Sequence, residues 1–191
     1  ALSDRLSNIS DGQTISKTTS DISKTYRDAY YKKRDKPLMK TGFGFLDEVV
    51  GGLEGGDMIV IGARPAVGKS AFGVQMAIQI VEMGFKVQIF NLEMTEKQVY
   101  ERMISYWSGI PQLRLRTAEQ YRNYEEEMMF KGAVEKLDAT TNLLISTGSR
   151  SVAQIRKEVN RVKPDLVIID YLQLLKADTS YKGNRYAEVG A

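Results

Sequence analysis

Short apolar runs alternate with longer amphipathic stretches over most of the chain. Four runs of strand length predict strands at residues 58–61, 86–92, 142–146 and 165–170. The stretches between them have helical periodicity and capping signals, which predict helices at residues 71–83, 95–107, 118–137 and 151–162. Strands that alternate with helices form a mainly parallel, twisted sheet covered by helices on both faces, so the predicted fold class is α/β.

The first part of the chain is predicted to be a linker segment, residues 1–36, that precedes a core at residues 37–191. Small polar residues dominate the beginning of this segment, as in a loop, and a helix is predicted at about 19–34. One side of that helix is basic, and the other carries a narrow apolar stripe formed by Ile22, Tyr26, Ala29 and Tyr30. Two interpretations remain: the stripe packs on its own domain, or it packs on a neighbouring subunit.

Composition limits the chemistry more than it limits the fold. The chain has no cysteine and no histidine, which excludes disulfides, catalytic triads and histidine metal sites. Reactions must therefore rely on carboxylates, lysine, arginine and Mg²⁺. No apolar run approaches the roughly 20 residues that span a bilayer, and no secretory signal pattern is present, so we expect a cytoplasmic protein without a membrane partner. The net charge of +3 permits a nucleic-acid partner without requiring one.

A stretch of small residues, within DMIVIGARPAVGKS at 57–70, separates the first predicted strand from the first helix of the core. Such a turn presents backbone N–H groups and the positive end of a helix dipole to phosphate. We expect Lys69 to contact the β- and γ-phosphates of ATP and Ser70 to bind Mg²⁺. The predicted nucleotide-binding residues are Ala63, Arg64, Pro65, Ala66, Val67, Gly68, Lys69 and Ser70. The usual pattern has glycine at the position of Ala63, which therefore has to keep a negative φ.

Polar residues at the ends of two later strands complete the predicted site. Asp170 ends an apolar strand, where a carboxylate can hold Mg²⁺ beside a phosphate loop, although an aspartate after a strand is ordinary by itself. Glu93 ends the second predicted strand and is the candidate general base for the attacking water; the alternative is an exposed glutamate before a helix. Gln173 is placed to hydrogen-bond the γ-phosphate or that water.

The segment after Asp170 carries positive charge on a glycine-containing loop. Lys176, Lys182 and Arg185 surround Tyr181 in this stretch, a combination that suits contact with single-stranded DNA. An ordinary surface loop is an equally good interpretation.

Four motifs together resemble one family. They are ARPAVGKS, NLEM at 91–94, IIDYLQLL at 168–175 and the later GNRYAEV. In this order and spacing they resemble the C-terminal motor domain of bacterial or phage DnaB-type hexameric replicative helicases. The resemblance implies a RecA-like P-loop NTPase fold and ATP sites between adjacent subunits of a ring. It also implies 5′-to-3′ movement on single-stranded DNA, and it makes the helix at 19–34 a linker helix that packs on the next subunit.

The same resemblance assigns the site residues and indicates missing parts. Lys69 and Ser70 take the phosphates and Mg²⁺, Glu93 activates water, Asp170 holds Mg²⁺ and Gln173 acts as a sensor. The family's domain for primase and loader, and its arginine finger, have no counterpart in this sequence, so we expect a C-terminally truncated core that binds ATP but hydrolyses it poorly.

Two other functions are compatible with the same fold. One is a RecA- or RadA-like recombination ATPase, and the other is a nucleotide-binding assembly regulator without helicase activity. NLEM and IIDYLQLL favour the helicase over the recombinase. Glu93 argues against a pure regulator, which needs no water-activating carboxylate.

Overall fold

The structure, a computed structural model, describes residues 18–33, 38–64, 66–117 and 123–175. The chain divides into two compact units, Ala1–Leu38 and Met39–Ala191. The first contains helix α1, Thr19–Lys33. The described elements of the second are α2 Gly44–Val50, α3 Lys69–Glu82, β1 Val87–Asn91, α4 Glu96–Ser108, α5 Gln112–Thr117, α6 Tyr124–Ala139, β2 Leu143–Thr147, α7 Val152–Val162, β3 Leu166–Asp170 and the 3₁₀-helix Leu172–Leu174.

Helix α1 begins with a reciprocal pair of hydrogen bonds. The Thr18 hydroxyl donates to Asp21 Oδ2 at 2.6 Å, and the Asp21 N–H donates back to Thr18 Oγ1 at 3.2 Å. On the predicted apolar side, the rings of Tyr26 and Tyr30 stack with their centroids 6.2 Å apart. Both tyrosines are more than half exposed, as is Ile22, so the apolar stripe faces solvent in the described structure.

The three described strands form a parallel sheet in the order β2-β1-β3. All five residues of the central strand, β1, are buried. Asn91 at the end of β1 lies in register with Thr147 on β2 and with Asp170 on β3. The carboxyl ends of the strands therefore meet at one edge of the sheet, which is where ligands bind in folds of this kind.

Helices cover both faces of this sheet, as the alternating pattern predicted. On one face, Glu158 of α7 accepts hydrogen bonds from Gln88 at 2.9 Å and from Ser146 at 2.7 Å. Ile168 lies on the opposite face, because it is in register with Ile89, which follows Gln88 along β1. A Cβ atom on Gly73 of α3 would lie only 3.7 Å from the Ile168 side chain. Helices α7 and α3 thus pack on opposite faces.

The hydrophobic core lies between β1 and helices α3 and α4. Its fully covered side chains include Ile78 and Ile80 on α3, Ile89 on β1, and Val99 and Met103 on α4. Because α3 packs against both the sheet and α4, the start of α3 is fixed relative to the ends of the strands. None of the described helices is both long and apolar enough to cross a membrane.

The predicted strand at 58–61 is wrong for the structure described. These residues form no strand, and Met58 and Val60 are 81% and 69% exposed. A cavity of about 580 Å³ lies between this segment and β3, so the two cannot form the ladder of hydrogen bonds that defines a strand.

The helix predicted at 118–137 also begins later than expected. In the structure α6 begins at Tyr124, and the side chain of Asn123 accepts a hydrogen bond from the Glu126 N–H at 2.8 Å. Three glutamates in the first turn favour this start, because they stabilise the positive end of the helix dipole. Helices α4 and α7 begin with capping boxes at Thr95 and Ser151, which are among the capping signals that predicted helices at 95–107 and 151–162.

Candidate nucleotide-binding site

The loop before α3 has the backbone geometry of an anion-binding turn. Gly68 adopts φ 108°, in the left-handed region, and α3 follows directly at Lys69. No side chain caps this helix and its first turn holds no acidic residue, so its positive end is open to an anion. Ala66 is also left-handed, with φ 65°, whereas Ala63 is not, as its predicted role requires. Pro65 lies outside the described residues.

Lys69 and Asp170, predicted to serve the same site, lie side by side. Lys69 Nζ is 3.5 Å from Asp170 Oδ1 and 4.2 Å from the centroid of the Tyr171 ring. The Lys69 side chain is 31% exposed and that of Asp170 only 11%. The second carboxylate oxygen, Asp170 Oδ2, is buried without a hydrogen-bond partner among the residues described. A buried carboxylate oxygen without a hydrogen-bond partner is a suitable ligand for a hard cation such as Mg²⁺.

A second cavity, of about 800 Å³, brings together eight of the predicted residues, four of the phosphate loop and four with assigned chemical roles. Lys69, Ser70, Glu93 and Gln173 all contribute to its wall. The other residues that line it are Ala63, Arg64, Ala66, Gly68, Met94, Gln98, Arg102, Arg116 and Tyr171. Val67 does not line it and is 70% exposed. Three predicted DNA contacts, at Lys176, Lys182 and Arg185, lie outside the described residues.

Asn91 positions Glu93, a role that sequence reasoning missed. The Asn91 side-chain oxygen accepts hydrogen bonds from the N–H groups of Glu93 at 3.2 Å and Met94 at 2.6 Å. The backbone N–H of Leu92 donates to the carbonyl of Asp170 at 2.7 Å. These bonds fix the turn after β1 and leave the Glu93 side chain exposed beside the cavity. The available signal was the asparagine at the carboxyl end of the strand, two residues before Glu93.

Arginines on the cavity wall were missed as well. Arg102 on α4 and Arg116 on α5 are far from the glycine-rich motif in sequence, yet both line the cavity. Arg116 donates to Glu101 Oε2 at 3.1 Å, so its charge is balanced by a neighbour. The spacing of Gln98 and Arg102, four residues apart on one helix, was the signal that could have placed both on one side of α4.

Comparison with known proteins agrees with the geometry. The family model for the DnaB-like helicase C terminal domain matches residues 38–191. The replicative DNA helicase DnaB of Synechocystis sp. is 34% identical over 169 residues, which are 85% of this chain and 19% of that protein. The Bacillus subtilis replicative DNA helicase DnaC is 33% identical over 165 residues, 83% of this chain and 36% of that protein. The chain thus spans well under half the length of these curated relatives.

Solved structures show that the fold is shared. A DnaB-like replicative helicase, whose structure was described with its interactions with primase, superimposes with a TM-score of 0.80 at 22% identity, over 98% of this chain and 46% of that one. A second solved structure, that of an ATPase domain, gives a TM-score of 0.76 at 23% identity, over 93% of this chain and 63% of that one. The fold is therefore the RecA-like α/β fold that the motifs implied.

The family assignment depends on how much of the chain is matched. Because the helicase family model covers residues 38–191 of a 191-residue chain, this chain belongs to the family of DnaB-like helicase C-terminal domains.

Proposed function

We propose that this chain is the ATP-hydrolysing motor of a replicative DNA helicase. The observation that supports this most directly is that Lys69, Ser70, Glu93 and Gln173 line one cavity, with Asp170 3.5 Å from Lys69 Nζ. A lysine at a helix start, an acid for Mg²⁺ and a second acid for water are the parts that recur in phosphate-transfer sites.

The chemistry assigned to these residues is hydrolysis of the γ-phosphate of ATP. Backbone N–H groups of the phosphate loop, with Lys69, hold the triphosphate, and Ser70 and Asp170 would hold Mg²⁺, which would neutralise charge on the phosphate oxygens. Glu93 takes a proton from the attacking water as its oxygen bonds to the γ-phosphorus and the bond to the leaving ADP oxygen breaks. Gln173 lies on the same wall, where it senses the γ-phosphate.

At the level of the whole protein, we propose a ring of identical subunits, hexameric as in the family, that moves 5′ to 3′ on single-stranded DNA. In this proposal residues 1–36 are a linker whose helix α1 packs on the next subunit through its exposed stripe of Ile22, Tyr26 and Tyr30. Lys176, Lys182 and Arg185 contact DNA. Primase and a helicase loader are the proposed partners of the assembled protein.

The test compares ATP turnover with and without single-stranded DNA, followed by strand displacement on a forked duplex. A helicase is stimulated by DNA and unwinds the fork; a recombinase is stimulated but pairs strands, and a regulator does neither. Lys69→Ala should prevent nucleotide binding. Glu93→Gln should keep nucleotide binding and lose turnover, because only the proton acceptor is removed.

The matched control for the second variant is Glu135→Gln, which makes the same chemical change at an exposed position on α6. It should turn over ATP like the unmodified protein. Turnover by Glu93→Gln at the rate of this control would refute the role of Glu93.

A further inference from the structure

The side-chain amide of Asn91, the last residue of β1, is buried, and only its oxygen is hydrogen-bonded. The side chain is 1% exposed, and its oxygen accepts hydrogen bonds from the N–H groups of Glu93 and Met94. These two bonds fix the orientation of the amide, because a flipped amide would turn its NH₂ group toward two donors. The Nδ2 atom is left without a hydrogen-bond partner among the described residues, and a buried donor in this condition is costly.

An acceptor that also lacks a partner lies on the neighbouring strand. Asp170 on β3 is in register with Asn91, and residues paired in this way project from the same face of a sheet, about 5 Å apart. Asp170 Oδ2 is buried without a hydrogen-bond partner in the described structure, while Lys69 Nζ lies 3.5 Å from the other oxygen, Oδ1. A buried donor and a buried acceptor therefore occupy neighbouring positions at the carboxyl edge of the sheet.

The remaining buried acceptors without a partner lie elsewhere in the part of the chain that the structure describes. Gln88 Oε1 belongs to a side chain on the opposite face of the sheet, Gln79 Oε1 is in the last turn of α3, and Glu126 Oε2 is on α6. Asn91 lines neither of the two cavities, so its amide is not placed to contact a nucleotide directly. Any effect of this amide on the site has to pass through Asp170.

We propose that Asn91 is a positioning residue, which donates a hydrogen bond from Nδ2 to the Asp170 carboxylate when nucleotide draws Lys69 away from it. The inference rests on the proposed function, in which Lys69 holds the phosphates. Without a replacement, the departure of Lys69 would leave a buried carboxylate with neither oxygen paired. A carboxylate has about four lone-pair sites, so Asp170 can accept this N–H and still hold Mg²⁺.

The experiment measures the Mg²⁺ concentration that gives half-maximal binding of a non-hydrolysable ATP analogue. Asn91→Ser keeps a side-chain oxygen for the N–H groups of Glu93 and Met94 but removes the amide donor on the side of Asp170. We expect this variant to need roughly 10-fold more Mg²⁺, as for the loss of one hydrogen bond to a charged group. A role confined to the turn that carries Glu93 would leave the Mg²⁺ requirement unchanged.

The variants Asp170→Asn and Asn91→Ser/Asp170→Asn show whether the effect passes through Asp170. Once Asp170→Asn has removed the charged acceptor, Asn91→Ser should change the Mg²⁺ requirement less than about twofold. The matched control is Asn123→Ser, which makes the same chemical change at the exposed start of α6, where the side-chain oxygen also accepts a backbone N–H. It should leave the Mg²⁺ requirement as it is in the unmodified protein.

Melting temperatures of all variants are measured in parallel. If Asn91→Ser does not fold, Asn91→Thr takes its place, since it offers the same hydroxyl oxygen and a higher strand propensity.

Three results would overturn the inference. The first is an unchanged Mg²⁺ requirement in Asn91→Ser, and the second is an equal rise with and without Asp170→Asn, which would place the effect outside the Asp170 carboxylate. Both would leave the proposed function intact. The third is failure of the unmodified protein to bind the nucleotide, which would refute the proposed function itself and the inference with it.

Discussion

The contact between Lys69 and Asp170 should stabilise the fold as well as serve the nucleotide. We propose a double-mutant cycle with Lys69→Met, Asp170→Asn and the variant that carries both changes. Lys69→Met leaves a carboxylate that is nearly buried, with one oxygen already unpartnered, whereas Asp170→Asn leaves a lysine that can still reach water. We therefore expect Lys69→Met to be the more destabilising single change, and the double variant to be more stable than Lys69→Met.

The expected coupling free energy follows from the distance and the exposure. Two unit charges 3.5 Å apart interact by about 5 kcal/mol at an effective dielectric constant of about 20, and by about 1 kcal/mol in bulk water. Lys69 is about one-third exposed and Asp170 about one-tenth, so the pair lies between these limits. We expect a coupling free energy of about 2 to 3 kcal/mol near neutral pH.

Urea unfolding at pH 7, followed by circular dichroism, measures all four free energies of unfolding. The matched control is the pair Lys131 and Glu127 on α6, which has nearly the same separation, 3.6 Å, but side chains that are 61% and 43% exposed. An exposed pair at this spacing should couple by no more than about 0.5 kcal/mol.

Equal coupling in the two pairs would refute the reasoning, because it would mean that burial does not strengthen the contact at the candidate site. Coupling below about 0.5 kcal/mol for Lys69 and Asp170 would have the same meaning.

Three further substitutions test contacts that stabilise the elements around the candidate site. Thr95→Ala removes the side-chain acceptor at the start of α4 and should lower the free energy of unfolding by about 1 kcal/mol in urea titrations; no change would show that the cap is dispensable. Gly42→Ala should cost about 1 to 3 kcal/mol in the same assay, since φ is 85° and a new Cβ would lie 2.7 Å from Gln79 Cβ; a neutral result would contradict the crowding. Burial alone would raise the pKa of Asp47, but hydrogen bonds from Thr41 and Gly42 outweigh it and hold that pKa below its usual value of 3.8. The stability that Asp47 contributes is therefore present above pH 3.8 and is lost as pH falls through the lower folded-state pKa. Asp47→Asn should accordingly lower the free energy of unfolding at neutral pH, and this loss should become smaller in acid. A loss that does not change with pH would contradict the assignment.

Local signals made much of the fold and of the site predictable. The capping boxes at Thr95 and Ser151 depend on residues three apart, so the sequence contains all of the information. The carboxyl ends of parallel strands meet at one edge, and this rule places the turn that carries Glu93 beside Asp170, since Asn91 lies in register with Asp170. Both predictions use short-range patterns or a general property of the sheet.

The parts that were missed depend on tertiary contacts. The run at 58–61 has the composition of a buried strand, but a strand exists only with a hydrogen-bonded neighbour, and the cavity beside β3 separates the two. Arg102 resembles any charged residue on an amphipathic helix until α4 is packed against the rest of the unit. Its place on the cavity wall depends on that packing, which no short stretch of sequence specifies.

The hydrogen bond from the Leu92 N–H to the Asp170 carbonyl bears on how the site can change when nucleotide binds. It joins the backbones that carry Glu93 and Asp170 just beyond the point where β1 and β3 are already in register. These bonds favour a fixed spacing between the backbones of the two acidic residues. If the chain hydrolyses ATP as proposed, we expect the state of the nucleotide to be reported by side-chain rotation, above all by Lys69 exchanging Asp170 for a phosphate oxygen, and not by sliding of the strands.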